Sequence, residues 1–419
     1  MRPLLLLALL SGCGPELDSD PRWATRREPL TAVTNFGSNP GGLSLFIYEP
    51  AALGSNVPLV LALHGCGQTA DAYTATGWNT LADERRFLVA YPQTTTNGGC
   101  FDWFSANQQT RTGPQVSSLM QMVQHLVATR GVDPSRVYVT GLSAGGAMTG
   151  VLLAVAPDVF SRGAVMAGLP FACATSQLQG FTCMSSPPDQ TPAQWGALVR
   201  AVAGTNPAPR ISLWHGSADT TVRPANLQEQ VDQWTNVNAI DATADATTTV
   251  GSATHQEFKN AAGVTLVESW SLSGMNHGTP IDTARGCGTP GPFVLDVGVC
   301  SSRFAADFFS LTAPSDAGAG GGGGAATGGG GGTASGGGGG AATGGGGGTA
   351  TGGGGAATGG GGAATGGGGA ATGGGAGTGG GATGGGGATS PSGCGCSSVE
   401  PSALLLALLL FTRNRPLAR

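Results

Sequence analysis

Three stretches of the chain hold side chains whose types and order suit nucleophilic attack on a carbonyl carbon. Gly141-Leu142-Ser143-Ala144-Gly145 lies directly after the apolar residues 137–140 and directly before the apolar run AMTGVLLAVA. A serine in this glycine-flanked pattern, between a strand and a helix, sits on a sharp turn that lifts its hydroxyl clear of the sheet. The plainer reading of the same residues is a glycine-rich turn with a helix-capping serine. A hydroxyl is a weak nucleophile, so it needs a base, and the base needs an acid to fix its tautomer. In the chain order that goes with such a turn, acid and base follow the serine on loops after later strands. Asp219 ends Trp214-His215-Gly216-Ser217-Ala218-Asp219, after the apolar residues 211–214, and His277 lies in Ser273-Gly274-Met275-Asn276-His277-Gly278, after residues 264–272. His215 precedes the expected acid and His255 falls in a polar stretch, so His277 is the expected base. Asp189 and Asp232 are alternatives for the acid, Asp232 reading as the solvent face of a helix.

Attack on a carbonyl builds negative charge on its oxygen, which backbone N–H groups must meet. The Ala144 N–H, next to the serine, is the first expected donor. The second comes from the loop His64-Gly65-Cys66-Gly67-Gln68, with Cys66 preferred and Gly65 as its neighbour; His64 itself reads as structural.

These loops need strands that end at a common edge. Residues 57–63, 87–91, 137–140, 211–214 and 264–272 are short apolar runs that suit strands, most of them covered on both faces. Residues 79–86, 116–129, 225–237 and 302–311 read as helices, the second with apolar residues at i, i+3 and i+4. Strands alternating with helices predict an α/β fold: a mostly parallel sheet with helices on both faces.

Composition sets the limits of that domain. Of 77 glycines in 419 residues, 44 fall within residues 317–389, a segment with no charge and no apolar side chain larger than alanine. Such a segment cannot bury enough surface to offset the entropy of ordering it, and it lacks the three-residue period of collagen. We expect a disordered linker over 314–392 and a single folded domain over 30–313. That domain holds 12 Lys plus Arg against 18 Asp plus Glu, a net of −6 with no basic cluster, which argues against nucleic acid and anionic lipid surfaces as partners.

The ends read as targeting segments. Met1-Arg2, an apolar stretch over residues 4–10, and Leu10-Ser11-Gly12-Cys13 resemble the export signal and lipobox of bacterial lipoproteins. This predicts a signal peptide over 1–12, lipidation of Cys13 and a spacer over 13–29. Residues 393–419 carry Cys394 and Cys396, an apolar run too short for a membrane span, and terminal arginines, and resemble a myxobacterial C-terminal sorting tail. A secreted or cell-surface monomer is expected, held at the outer surface by the lipid or the tail. Of nine cysteines, Cys66, Cys100, Cys173, Cys183, Cys287 and Cys300 remain for the domain. An even number in an exported domain predicts disulfides, with sequence-order pairing favoured among the possible connectivities. No cysteine and histidine spacing suggests a metal site.

LALHGCGQTA, GLSAGGAMT, HGSADTTV and GMNHGTPID, in that order, resemble the successive motifs of secreted esterases related to poly(3-hydroxybutyrate) depolymerases, a group that overlaps feruloyl and acetylxylan esterases. The resemblance spans residues 35–311. It implies an α/β-hydrolase fold, a Ser143, Asp219 and His277 triad, no cofactor, and a Cys66–Cys100 pair. One segment departs from the family's Cys-Trp-Asn-Trp, reading Cys100-Phe101-Asp102-Trp103-Phe104 here; Trp103 is a candidate for the substrate pocket or for the core. The resemblance implies an ester substrate, either a polyester or feruloyl or acetyl groups on polysaccharide. A catalytically silent polymer-binding protein and a serine peptidase are the other classes this fold accommodates.

Overall fold

The structure is a computed structural model that describes residues 29–51 and 53–311. The signal peptide, Cys13, the spacer, the linker and the C-terminal tail expected from the sequence lie outside the described residues.

The apolar runs form the centre of a ten-stranded sheet. Its strands are β1 (Thr31–Val33), β2 (Ser44–Tyr48), β3 (Val57–Leu63), β4 (Leu88–Gln93), β5 (Val132–Leu142), β6 (Arg162–Met166), β7 (Arg210–Gly216), β8 (Ala246–Val250), β9 (Ala253–Lys259) and β10 (Thr265–Leu272). The spatial order is β1-β2-β4-β3-β5-β6-β7-β10-β9-β8. From β4 to β10 neighbours run parallel, while β2 with β1 and β9 with β8 extend the two edges in antiparallel fashion. Every residue of β3 is buried, as expected of a parallel strand with helices on both faces. A small parallel pair, β11 (Thr279–Ile281) and β12 (Val294–Asp296), stands apart from the main sheet.

The helices are α1 (Ala70–Tyr73), α2 (Trp78–Arg85), α3 (Pro114–Arg130), α4 (Ala144–Val155), α5 (Gln177–Ser185), α6 (Pro192–Ala203), α7 (Ala225–Val237) and α8 (Ser301–Phe308). Two apolar clusters flank the sheet. One joins α3, α4, α6 and α7 through Leu119, Val151, Val199 and Trp234; the other joins α1, α2 and α8 through Tyr73, Trp78 and Phe308. This is the layered α/β architecture that the alternation of elements predicts.

Element bounds differ from the sequence reading where turn chemistry interrupts a pattern. β5 starts at Val132, not 137: Val57 pairs with Val132 and Leu59 with Val137, so residues 133–136 bulge out of the ladder. Asp-Pro-Ser-Arg at that point reads as a turn, which hides the strand's beginning. α8 stops at Phe308 and not 311 because Ser310 takes a left-handed conformation, φ 62°. At the end of α8 and just past it, Arg162 Nη1 donates to Phe308 O at 2.8 Å and Arg85 Nη1 to Leu311 O at 2.7 Å.

Three disulfides join Cys66–Cys100, Cys173–Cys183 and Cys287–Cys300, the sequence-order pairing. Cys287–Cys300 fastens the chain just ahead of α8, and Cys66–Cys100 ties the loop after β3 to the loop after β4.

α4 is buried along its whole length and presses its first turn against backbone, not side chains. A Cβ on Gly145 would lie 2.3 Å from Leu63 O and 2.6 Å from His64 O; one on Gly141 would lie 2.4 Å from Gly145 O. No rotamer change relieves a clash with backbone, so Gly145→Ala should cost about 3 kcal/mol or more and lower Tm by on the order of 5–10 °C. Gly54→Ala, with nothing within 4 Å of its Cβ, should stay within about 0.5 kcal/mol of the parent. Differential scanning calorimetry of the two variants separates these outcomes.

Candidate active site

Ser143 occupies the sharp turn between β5 and α4 with φ 57° and ψ −117°. The left-handed strain therefore falls on the serine itself, while Gly141 and Gly145 supply the close approach that holds it there. Ser143 N–H donates to Met166 O at 2.9 Å, Ala167 N–H to Trp214 O at 2.7 Å, and Ser217 N–H to Leu272 O at 2.9 Å. These bonds run across the carboxyl ends of β5, β6, β7 and β10 and fix the edge on which all three expected triad residues lie.

Asp219 is the acid the structure places beside His277. His277 Nδ1–H donates to Asp219 Oδ2 at 2.7 Å. The other carboxylate oxygen accepts the Thr221 and Val222 N–H groups at 2.8 and 2.9 Å. Asp189 makes no such contact, and Asp232 accepts Gln228 Nε2 on an exposed helix surface. With Nδ1 protonated and held, His277 keeps Nε2 available to take a proton. No hydrogen bond joins Ser143 Oγ to His277 among the described residues; contacts of this kind are commonly long without substrate and tighten when it binds.

His215 contributes something that its position upstream of Asp219 concealed. Its Nε2 lies 2.8 Å from Val222 O, and a carbonyl only accepts, so the proton sits on Nε2. The same Nε2 lies 3.4 Å from Asp219 Oδ2. A buried carboxylate thus faces two imidazoles and two backbone donors. Burial alone would push the Asp219 pKa up. Hydrogen bonds from His215 and His277, the His277 charge and the Val222 N–H prevail and hold it well below the usual carboxylate range. Gly216 makes the crossing of the two loops possible, since a Cβ there would meet Met275 O at 2.2 Å.

The loop after β3 shows how one peptide N–H is left free. Gly65 N–H donates to Gln68 Oε1 at 2.9 Å, which removes Gly65 from consideration as an oxyanion donor. The carbonyl of the next peptide, Gly65 O, accepts His64 Nδ1–H at 2.8 Å and Gln68 N–H at 3.1 Å. That peptide's N–H belongs to Cys66 and has no acceptor among the described residues. The Ala144 N–H, first in α4, is likewise one of the donors that a helix N-terminus leaves unpaired. His64 is neutral, buried, and also accepts the Thr94 N–H through Nε2 at 3.2 Å; burial lowers its pKa. Gln68 Nε2 reaches across to Pro292 O at 3.0 Å, joining this loop to the segment that packs on His277. No sequence pattern marks that bridge, which spans 224 residues.

Phe293 places its ring edge-on to His277, 5.9 Å between centroids, and is exposed. Trp103 is 6% exposed, packed against Phe104 and beneath Gly180 of α5. Asp102, beside it, takes the Ser105 hydroxyl. Among the described residues no group of His, Cys, Asp and Glu side chains could hold a metal ion.

Comparison with known proteins gives the family. The family model described as "Esterase PHB depolymerase" matches residues 43–258, a stretch that includes Ser143 and Asp219 and stops before His277. Poly(3-hydroxyalkanoate) depolymerase C of Paucimonas lemoignei is 50% identical over 290 residues, 67% of this chain and 70% of that protein. Feruloyl esterase B of Talaromyces stipitatus is 35% identical over 266 residues, covering 61% of this chain and 74% of its own. Among solved structures, the acetyl xylan esterase from Aspergillus awamori superposes with a TM-score of 0.58 at 27% identity, over 68% of this chain and all of that one.

Because Asp219 ionises at lower pH in the folded protein than in the unfolded chain, its carboxylate adds stability that is complete above the ordinary carboxylate pKa, about 4, and is lost as pH falls towards the folded value. In urea unfolding, the stability gap between the parent and Asp219→Asn should stay level from about pH 7 to 5 and narrow below about pH 4. A gap that stays level to about pH 3 would contradict the network drawn above.

Proposed function

The chain belongs to the esterase PHB depolymerase family and is an ester hydrolase; from that premise we propose that it works through Ser143, His277 and Asp219 by way of an acyl-enzyme, outside the cytosol. The observation that carries the reading is the Asp219–His277 pair standing at the same sheet edge as a serine held in a strained strand-to-helix turn. Three disulfides support the compartment, since such bonds persist where conditions are oxidising. Export by the N-terminal signal, with anchoring through Cys13 or the C-terminal tail, remains the proposal for how the domain is held there.

His277 Nε2 takes the proton of Ser143 Oγ as the oxygen attacks the ester carbonyl. The carbonyl oxygen becomes negative and is met by the N–H groups of Ala144 and Cys66. Collapse expels the alcohol, which leaves with the proton carried by His277. Water then repeats the sequence on the acyl-enzyme and frees the acid. Asp219 stays ionised throughout, fixing the ring and stabilising its charged form. His215 is a positioning residue: it touches no reacting atom and steadies the carboxylate. The substrate is an ester of a hydroxyalkanoate polymer or an acetyl or feruloyl ester of a polysaccharide, the classes named by the relatives. An activity panel on methyl ferulate, acetylated xylan and a hydroxybutyrate film ranks them.

Ser143→Ala should abolish both p-nitrophenyl acetate hydrolysis and labelling by a fluorophosphonate probe, and retained hydrolysis would sink the triad. A silent polymer-binding protein would fail the probe in its native form, and a peptidase would prefer casein. Asp219→Asn should lower kcat by about 10³–10⁴-fold. His215→Ala should lower kcat roughly tenfold with KM little changed, while His215→Gln, which keeps a donor near Nε2, should recover most of the loss. Equal loss in both His215 variants would mean that shape and not the donor matters.

A further inference from the structure

Four large apolar side chains are exposed among the described residues, and they are not scattered evenly. Leu178 is 77% exposed, Phe181 53% and Phe293 43%, while Val264, at 41%, precedes β10 and so lies at the opposite edge of the sheet. Phe293 packs on His277. Leu178 and Phe181 are three residues apart on α5 and share one face of it.

α5 is held rigidly at the edge that carries Ser143. On one side Gly180 abuts Trp103 and Phe104, in the loop that follows the Cys66–Cys100 disulfide. On the other, Arg223 N–H donates to Met184 O at 2.8 Å and Asn226 Nδ2 to Cys183 O at 3.1 Å, in the segment that follows Asp219. Cys173–Cys183 staples the helix to the chain that enters it, and Ser176 caps its start. A fixed helix that shows leucine and phenylalanine to water is not a loop caught in passing.

The chemistry around these side chains narrows what they meet. No charged residue occurs between Arg162 and Asp189, or between Arg285 and Asp296, so both segments are neutral. Neither segment offers a charge of its own to an anionic lipid surface or a charged polymer, and exposed Arg223 is the single cation bonded through its backbone to the end of α5. Polysaccharide is bound on amphipathic aromatic rings that also offer a hydrogen-bonding tip, yet all six described tryptophans and all four tyrosines are buried. What is displayed is apolar side chain without donors, suited to a surface of methyl and methylene groups whose polar atoms are ester acceptors in no need of pairing.

We propose that Leu178 and Phe181 on α5, with Phe293 beside His277, form a docking face for a solid aliphatic polyester, which lets the catalytic domain itself adsorb to its substrate. This deepens the ester hydrolase reading above and rests on it. The face adds affinity for the insoluble phase and does nothing for a small ester in solution.

The test uses the full chain and the double variant Leu178→Ser/Phe181→Ser, both positions exposed and therefore tolerant. Hydrolysis of p-nitrophenyl acetate, erosion of poly(3-hydroxybutyrate) granules followed by turbidity, and depletion of protein from solution by granules are measured for each protein. Acetate hydrolysis should stay within about twofold, whereas granule adsorption and erosion should fall by roughly tenfold or more, as expected when two buried apolar contacts are lost. Loss of both activities together, unchanged granule adsorption, or a parent chain that binds acetylated xylan in preference to granules would overturn the proposal. If Ser143→Ala retains acetate hydrolysis, the triad reading fails instead, and granule adsorption by the parent and the double variant still decides the docking face.

Discussion

The approach of α4 to the end of β3 is the contact on which the site depends. It is an approach of backbone to backbone, with Gly141 and Gly145 against each other and Gly145 against the carbonyls of Leu63 and His64. That proximity forces the turn at Ser143 into a conformation that a non-glycine residue adopts only under constraint. It also brings the first N–H of α4 near the loop that begins at His64, so both proposed oxyanion donors are positioned by one packing event. The strain is supported by the most buried helix in the described residues, and any loosening there moves Ser143 and the Ala144 N–H together.

The second constraint is electrostatic and local. A carboxylate with no solvent exposure needs hydrogen-bond donors, and the loop after β7 gives two of its own N–H groups to Oδ1 and sets His215 Nε2 3.4 Å from Oδ2, which leaves Oδ2 for His277. His277 therefore meets an acid already formed and oriented. Preorganisation of this kind removes rearrangement from the moment of reaction.

What the sequence reveals and what it conceals follow from the range of the interactions involved. The parallel strands other than β6, the serine turn and the Asp219 and His277 loops are legible because each is a local pattern of apolar run followed by glycine and polar residues, whereas β6 (Arg-Gly-Ala-Val-Met) has too short an apolar run to stand out. Strands β1, β2, β8 and β9 are not legible either, since they lie at the sheet's edges; β8 reads Ala-Thr-Thr-Thr-Val with an exposed centre and no apolar alternation. α5 and α6 were missed as well, α5 because its Leu178 and Phe181 face water instead of the core. His215, set aside as a base because it precedes the acid, shows its place beside Asp219 only through the carbonyl of Val222. The Gln68 bridge to Pro292 is a long-range contact that no spacing rule anticipates.

The placement of the chain's exit has a directional consequence. Leu311 is buried, its carbonyl is held by Arg85, and Phe308 just before it is held by Arg162 at the start of β6. The start of β6 is the end of the sheet opposite Ser143, so Leu311 lies at the back of the domain. A pull applied at Leu311 therefore acts on the end of the sheet opposite the site. Tension from the same side would load α8 first, and peeling would arrest at the Cys287–Cys300 staple before it reached the loop that carries His277.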